Sequence, residues 1–494
     1  MLERRFFLNG MMASGALMSS AARAQVADPA PAAADDAIVP LVEHMLHTRF
    51  DALPAIALET TRAQLLDMAG VALAGRNEDG VRQLRELAAT VGGRGESVVW
   101  GSGLRLPGHD AARINAVMAH ALEYDDTFGP AFLHPSAITF PAALAVADMV
   151  GDVSGREFLA AATLANDVAC RLAMAAQPGR DGFAIGWHNT TLVGYLSSAL
   201  LAGRLMRLDR QQLIHAVGIA AHQAAGTAQS HVDSALTKRL GPGFASAAGV
   251  FAARLAAKGV NGPRGVLEGA KGYFVQYHKG HYSRTLLLGG LGVDYPGAAM
   301  SFKPWPSCRG SHTSADAALQ IAALLGPSAA DIAGVLIRNG PAEWGFLSAP
   351  IERKRRPAST VEAQFSIPWV VAAALTDRKV GIGHFTPAAL TRPDLRAMAD
   401  RIEAVQDDEL ANAAGGPGQA IVEVTMRDGR TLRRHVAAAK GDPQAPMSAA
   451  EVAKKFDDCL DYASIAPDRR VRLRGLLDGV DGLRDLTQLT AAMA

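Results

Sequence analysis

From about residue 40 to residue 290 the chain is patterned for helices that approach one another closely. Residues 155–174 are typical: Phe158, Ala162, Ala165, Ala169 and Leu172 fall at i, i+4, i+7, i+11 and i+14, one stripe of a helix. Ser154-Gly155-Arg156-Glu157 reads as a capping box ahead of it, and Asp209-Arg210-Gln211-Gln212 as a close relative ahead of the helix containing Leu213, Val217 and Ala221. Small residues on these stripes let helix axes come near, so this half reads as a tightly packed all-α core.

Near residue 295 the texture changes. Tyr295-Pro296-Gly297 and Lys303-Pro304-Trp305-Pro306 interrupt any helix. Beyond them, Ile332 to Ile337 has strand character, and Ile421 to Met426 alternates before Asp428-Gly429 and Thr431 to Val436, a hairpin pattern. Pro368 to Leu375 and Pro393 to Val405 read as helices opening on a proline, so this stretch is α+β. A last capping box, Ser448-Ala449-Ala450-Glu451, returns the chain to helix.

Residues 1–24 have the layout of an export signal: Arg4-Arg5-Phe6-Phe7-Leu8, an apolar stretch, then Ala22-Arg23-Ala24. The paired arginines resemble the twin-arginine motif, which predicts passage through that export machinery to the periplasm. Pro- and Ala-rich residues 25–39 read as a linker. No later stretch has the roughly 20 uncharged apolar residues of a membrane span, which predicts no stable membrane insertion. With 49 Lys+Arg against 48 Asp+Glu there is no basic field for nucleic acid. Cys170, Cys308 and Cys459 are widely spaced, so they read as small core residues rather than a disulfide framework or zinc site.

Four segments concentrate chemistry. His120-Ala121-Leu122-Glu123-Tyr124-Asp125-Asp126-Thr127 followed by His134-Pro135-Ser136 is the densest, and as a helix end it would set Glu123, Asp126 and Thr127 on one face. A carboxylate, a hydroxyl and an imidazole so close can move protons. His120 and Glu123 could also share a metal, but neither HExxH nor paired ExxH supports that. Gly186-Trp187-His188 places a histidine in a loop. Thr237-Lys238-Arg239-Leu240-Gly241-Pro242-Gly243 sets cations beside glycines in what reads as an anion-binding turn. Phe302 to His312 gathers Lys303, Arg309 and His312 at the inferred domain boundary, a favoured place for ligands.

In chain order these segments, with Leu65 to Gly70, Gly262-Pro263, Glu268-Gly269 and Gln364-Phe365-Ser366-Ile367-Pro368, resemble the MmgE/PrpD family of 2-methylcitrate dehydratase and cis-aconitate decarboxylase. The resemblance implies a mostly α fold: a discontinuous helical domain from residues 40–297 and 445–494, with an α+β lid inserted at 298–444. It implies a homodimer, no cofactor and no metal, and a lyase acting on a small di- or tricarboxylate by proton abstraction next to a carboxylate. By motif, His134, His188, Lys238, Lys303, Thr127 and Glu123 carry the chemistry, with His134 as base, His188 as acid or substrate ligand and Thr127 as an orienting group. Arg309, His312 and Trp369 would touch substrate. Glu123 stands where several members have Asp, and Trp369 where Tyr is common. An epimerase or isomerase would start with the same proton abstraction, and a periplasmic carboxylate-binding protein would keep the pocket without the reaction.

Overall fold

The computed structural model describes residues 36–176, 186–325, 329–412 and 417–494. The expected export signal and nearly all of the linker lie outside them. Asp36, at the linker's end, is already docked: its carboxylate accepts from the amides of Ile38 at 2.9 Å and Glu268 at 2.8 Å, and a helix starts at Ile38.

The chain is mostly helical, and its apolar side chains gather into two large clusters. One draws on residues from Ala37 to Met300 and again from Phe456 to Met493, so both ends of the chain share it. The second runs from Trp305 to Val436. Helix Gly155–Ala175 is the core of the first. It is not the one-sided stripe its spacing implied, because helices pack on every side of it and polar Asn166, Asp167 and Arg171 are buried along with the alanines. By length and composition Gly155–Ala175 and Thr237–Ala257 would each suffice to cross a bilayer, yet 94% and 61% of their apolar windows are covered by the rest of the fold.

The capping signals locate helix starts but not always their partners. Asp209 and Ser448 close complete boxes with Gln212 and Glu451. Ser154 caps the amide of Glu157, whose carboxylate turns away to Arg204 Nε at 2.7 Å.

The second cluster is built on a four-stranded sheet ordered Ile402–Gln406, Ile332–Asn339, Ala420–Met426, Thr431–Val436, the first pair parallel and the others antiparallel. The hairpin closes through Arg427 to Gly429, with Gly429 at φ +86°, a left-handed turn conformation that glycine adopts without strain. Residues 393–405 correct the sequence reading: the helix stops at Ala399, and Ile402–Gln406 is a strand beside Ile332–Asn339.

Candidate active site

Helix Gly108–His120 ends at the first candidate histidine, and the chain leaves it through a tight turn with Glu123 at φ +51°. Glu123, Asp126 and Thr127 therefore do not share a helix face, as their spacing had predicted. Buried side chains from distant elements hold this turn by its carbonyls instead. Leu122 C=O accepts from Gln364 Nε2 at 3.0 Å, Glu123 C=O from Lys303 Nζ at 2.9 Å, Tyr124 C=O from Lys455 Nζ at 2.7 Å and Asp126 C=O from His134 Nδ1 at 2.8 Å. Lys455, on helix Ala449–Tyr462, also pairs with buried Asp67 at 2.6 Å and lies 4.0 Å from the centre of the Tyr124 ring. Bound backbone carbonyls leave the turn little freedom to move.

The contacts fix two tautomers. A carbonyl oxygen only accepts, so His134 Nδ1 carries the hydrogen it gives to Asp126, and Nε2 keeps the lone pair. Thr127 Oγ1 lies 3.3 Å and Asp125 Oδ2 3.6 Å from the same Nδ1. His120 gives its Nδ1 hydrogen to Asp125 Oδ2 at 2.7 Å and accepts from Lys238 Nζ at Nε2 over 2.8 Å. Lys238 in turn donates to Glu123. The result is a buried relay from Asp125 through His120 and Lys238 to Glu123.

Burial sets the charges. It favours neutral imidazoles, pushing His134 down to about 3 against the opposing charge of Asp125, and holding His188 well below the usual histidine range with help from His231 and Lys238. Burial alone would raise Glu123, but Lys238 and Lys303 outweigh it and keep the carboxylate ionised. Asp125 is likewise held low against burial by His120 and His134. Lys238 is lowered by burial, with Glu123 opposing. Asp126, desolvated and accepting from Ser136 Oγ at 2.5 Å and from Gln64 Nε2, is raised to about 7.

Glu123, His134, His188 and Lys238 line a cavity of about 190 Å³ between the two apolar clusters, with Asp125 and Asp126 buried behind them. Glu123, Thr127, His134, His188 and Lys238 form one side, and Cys308, Arg309, Ala342, Phe346 and Phe365 close it from the later segment. His188 caps helix Asn189–Leu205 from the preceding loop, with Nδ1 2.8 Å from Thr191 Oγ1. Arg309 is 3% exposed: Nη2 pairs with Asp442, while Nε and Nη1 make no hydrogen bond. A buried guanidinium with open donors on a cavity wall is suited to a carboxylate.

Four expectations need correction. Lys303 is fully buried beneath the cavity, with Nζ on the Glu123 carbonyl and 3.6 Å from Glu123 Oε2, so it fixes the turn and adds charge from behind. His312 is sequestered against Trp305, its Nε2 on Ser307 C=O at 3.3 Å. Trp369 belongs to the second apolar cluster and donates from Nε1 to His384 C=O at 3.0 Å, away from the cavity. The segment from Thr237 is no turn but the start of helix Thr237–Ala257, whose Lys238 enters the cavity while Arg239 points to Gln364 and Glu78. Gly241 provides room for Thr191 and His188 rather than for an anion.

The sequence reading weighed His120 only as a poorly supported metal ligand, gave no separate role to Asp125, read Cys308 as core although it lines the cavity, and passed over His231. The last lies on the four-residue helix Gln229–Val232, too short for any periodicity to expose. His120, Asp125 and His134 place ligand atoms within 4.8 Å of one another, close enough for a metal ion. The donor set fits one poorly, because the nearest ring nitrogens of both histidines carry hydrogens already given to Asp125 and to a backbone carbonyl.

Residues 40–285 match the MmgE/PrpD N-terminal domain and residues 305–474 the MmgE/PrpD C-terminal domain. A cis-aconitate decarboxylase of Aspergillus terreus is 25% identical over 457 residues, 89% of this chain and 92% of the fungal one. The human cis-aconitate decarboxylase is 26% identical over 416 residues, 81% of this chain and 82% of its own length. A cis-aconitate decarboxylase-like protein of Aspergillus oryzae is 25% identical over 473 residues, 90% and 94% of the two chains. With both domains matched in order over most of its length, the chain belongs to the MmgE/PrpD family and is an enzyme of the lyase type.

Proposed function

We propose that the protein is a cofactor-independent lyase of the decarboxylase or dehydratase type acting on a small di- or tricarboxylate, with His134 moving the proton at carbon. The observation that carries this reading is the His134 tautomer. With its Nδ1 hydrogen committed to Asp126 C=O, the ring offers a lone pair at Nε2 on the wall of a cavity that also holds Lys238 and the open edge of Arg309. The relatives named as cis-aconitate decarboxylases make an unsaturated tricarboxylate the first substrate to try.

Arg309 and Lys238 take substrate carboxylates by charge-assisted hydrogen bonds. The arriving negative charge raises the affinity of His134 for a proton, and Lys238, on the same wall, stabilises the enediolate that forms when a C–H beside a carboxylate is broken. In a dehydration that electron pair expels a β-hydroxyl, which departs as water with one proton from His188, charged once the bound anion has raised its affinity for a proton. In a decarboxylation the C–C bond to a carboxylate breaks, carbon dioxide leaves, and the proton held on His134 quenches the carbanion. Thr127 keeps the ring of His134 in place. The later segment acts as the lid, and the chain works as a homodimer after export to the periplasm.

The test is turnover of cis-aconitate and related di- and tricarboxylates in heavy water, followed by NMR. Loss of carbon dioxide with deuterium at the carbon that carried it, or loss of water to give an alkene, supports the reading. Deuterium incorporation without net elimination would make the protein an isomerase, and binding without exchange or turnover would make it a carboxylate-binding protein.

A further inference from the structure

Four imidazoles follow one another, His134, His120, His188 and His231, with successive ring centres 5.0, 5.8 and 4.8 Å apart, and all but the fully buried His120 line the cavity. Three of them have a ring nitrogen committed to a protein partner, His134 to Asp126 C=O, His120 to Asp125 and Lys238, His188 to Thr191. His231 is different. Its Nδ1 is buried and makes no hydrogen bond, the Ala228 carbonyl being near enough to bias the ring's charge but out of hydrogen-bonding geometry. Its ring is packed edge-on to Phe365 at 6.3 Å, 6.5 Å from Phe346, and 4.8 Å from His188. It lines the cavity at the end closed by these two phenylalanines, away from the hydrogen-bonded turn that orients His134.

A buried polar atom without a partner is rare in a folded protein and implies a partner that arrives with a ligand. The candidate here is an anion, because Lys238 and Arg309 line the same cavity and two guanidinium nitrogens of Arg309 make no hydrogen bond. We propose that His231 is a specificity-determining residue that donates a hydrogen bond to the substrate carboxylate farthest from the reacting carbon, and so selects tricarboxylates over dicarboxylates. This rests on the lyase reading above for the class of ligand, and adds the residue that counts its carboxylates. Burial and Lys238 keep the free ring neutral, with its pKa pushed down to about 3; Glu123 opposes them and His120 adds to them. A neutral ring with Nδ1–H is a donor as it stands, and a bound carboxylate favours that tautomer or the imidazolium.

The experiment measures binding of two unreactive probes by calorimetry, propane-1,2,3-tricarboxylate and 2-methylsuccinate, which differ by one carboxylate. They are titrated into the wild-type protein and into the His231→Phe and His231→Gln variants. His231→Phe keeps an aromatic ring against Phe346 and Phe365 but has no donor; His231→Leu replaces it should that variant fail to fold. The wild type is expected to prefer the tricarboxylate, His231→Phe to weaken its binding about ten- to a hundredfold with little change for the dicarboxylate, and His231→Gln to restore most of the preference. An unchanged ratio in His231→Phe, equal losses on both probes, or a wild type without preference would each overturn the proposal. Turnover of the wild type on cis-aconitate, run in parallel, separates the two readings: its absence sinks the lyase reading, whereas turnover with an unchanged probe ratio sinks only the role of His231.

Discussion

The two walls of the cavity are built on opposite plans. On the side of residues 120–134 nearly every polar atom is already bonded: carbonyls of the 122–126 turn are held by Gln364, Lys303, Lys455 and His134, and carboxylates face buried cations. On the side of His231, Arg309, Phe346 and Phe365 the donors are open and the surfaces apolar. A group that must meet a carbon atom within a few tenths of an ångström needs a rigid support, whereas groups that recognise a ligand must have bonds left to give. The contrast assigns proton transfer to the first wall and recognition to the second.

The sharpest way to break this division is His134→Gln. Glutamine can still donate to the Asp126 carbonyl but offers no basic lone pair, so kcat should fall about 10²- to 10⁴-fold with KM nearly unchanged. Steady-state kinetics on the best substrate decide it. A loss confined to KM would move His134 to the recognition wall.

Next in size is Lys455→Met, which tests whether the rigid wall is held from the far end of the chain. It strips the Tyr124 carbonyl of its donor and leaves the buried Asp67 carboxylate without its cation, a defect that costs about 3–5 kcal/mol. Denaturant unfolding should show that loss, and the double variant Asp67→Asn/Lys455→Met should regain part of it. A single variant as stable as wild type would mean that the turn stands without this clamp.

The rigid wall should also respond to acid. His134 takes up its proton near pH 6.5 in the unfolded chain but only at about 3 in the folded one, where burial opposes the charge. Between those values the unfolded state binds more protons, so stability falls as pH falls. From pH 7.5 to 5 the wild type should lose about 2 kcal/mol more than His134→Gln. Equal losses would mean that the ring is solvated and titrates normally.

How far the sequence disclosed this arrangement depends on the kind of signal each part leaves. The Asp428-Gly429 hairpin and the caps at Asp209 and Ser448 were readable because local chemistry dictates them. His134, His188 and Lys238, which the structure brings to one cavity, stood in compact polar segments of a recognisable order. Other parts are settled only by long-range packing. Trp369 and the cavity residue Phe365 sit four positions apart, and nothing in their spacing tells which joins the core. Ile402 to Val405 continue the apolar run of Leu395 and Met398, and only the neighbouring strand makes them β. Lys303 reads as a ligand from its charged segment at the domain boundary and its place in the family motif, yet its ammonium is buried and ends on a carbonyl.

The smallest expected effect falls on the recognition wall, at Arg309. Its guanidinium spends one nitrogen on Asp442 and keeps two unbonded while the residue lines the cavity, a division that a lysine cannot reproduce, since its single ammonium must choose between the aspartate and the substrate. Arg309→Lys preserves the net charge and should leave the rigid wall undisturbed, so kcat should stay within about twofold while KM rises about tenfold, the loss of one charge-assisted hydrogen bond. Initial rates over a substrate series read both constants. Were kcat to fall with KM constant, Arg309 would be stabilising charge that develops during the reaction, and the boundary between the two walls would have to be drawn on the other side of it.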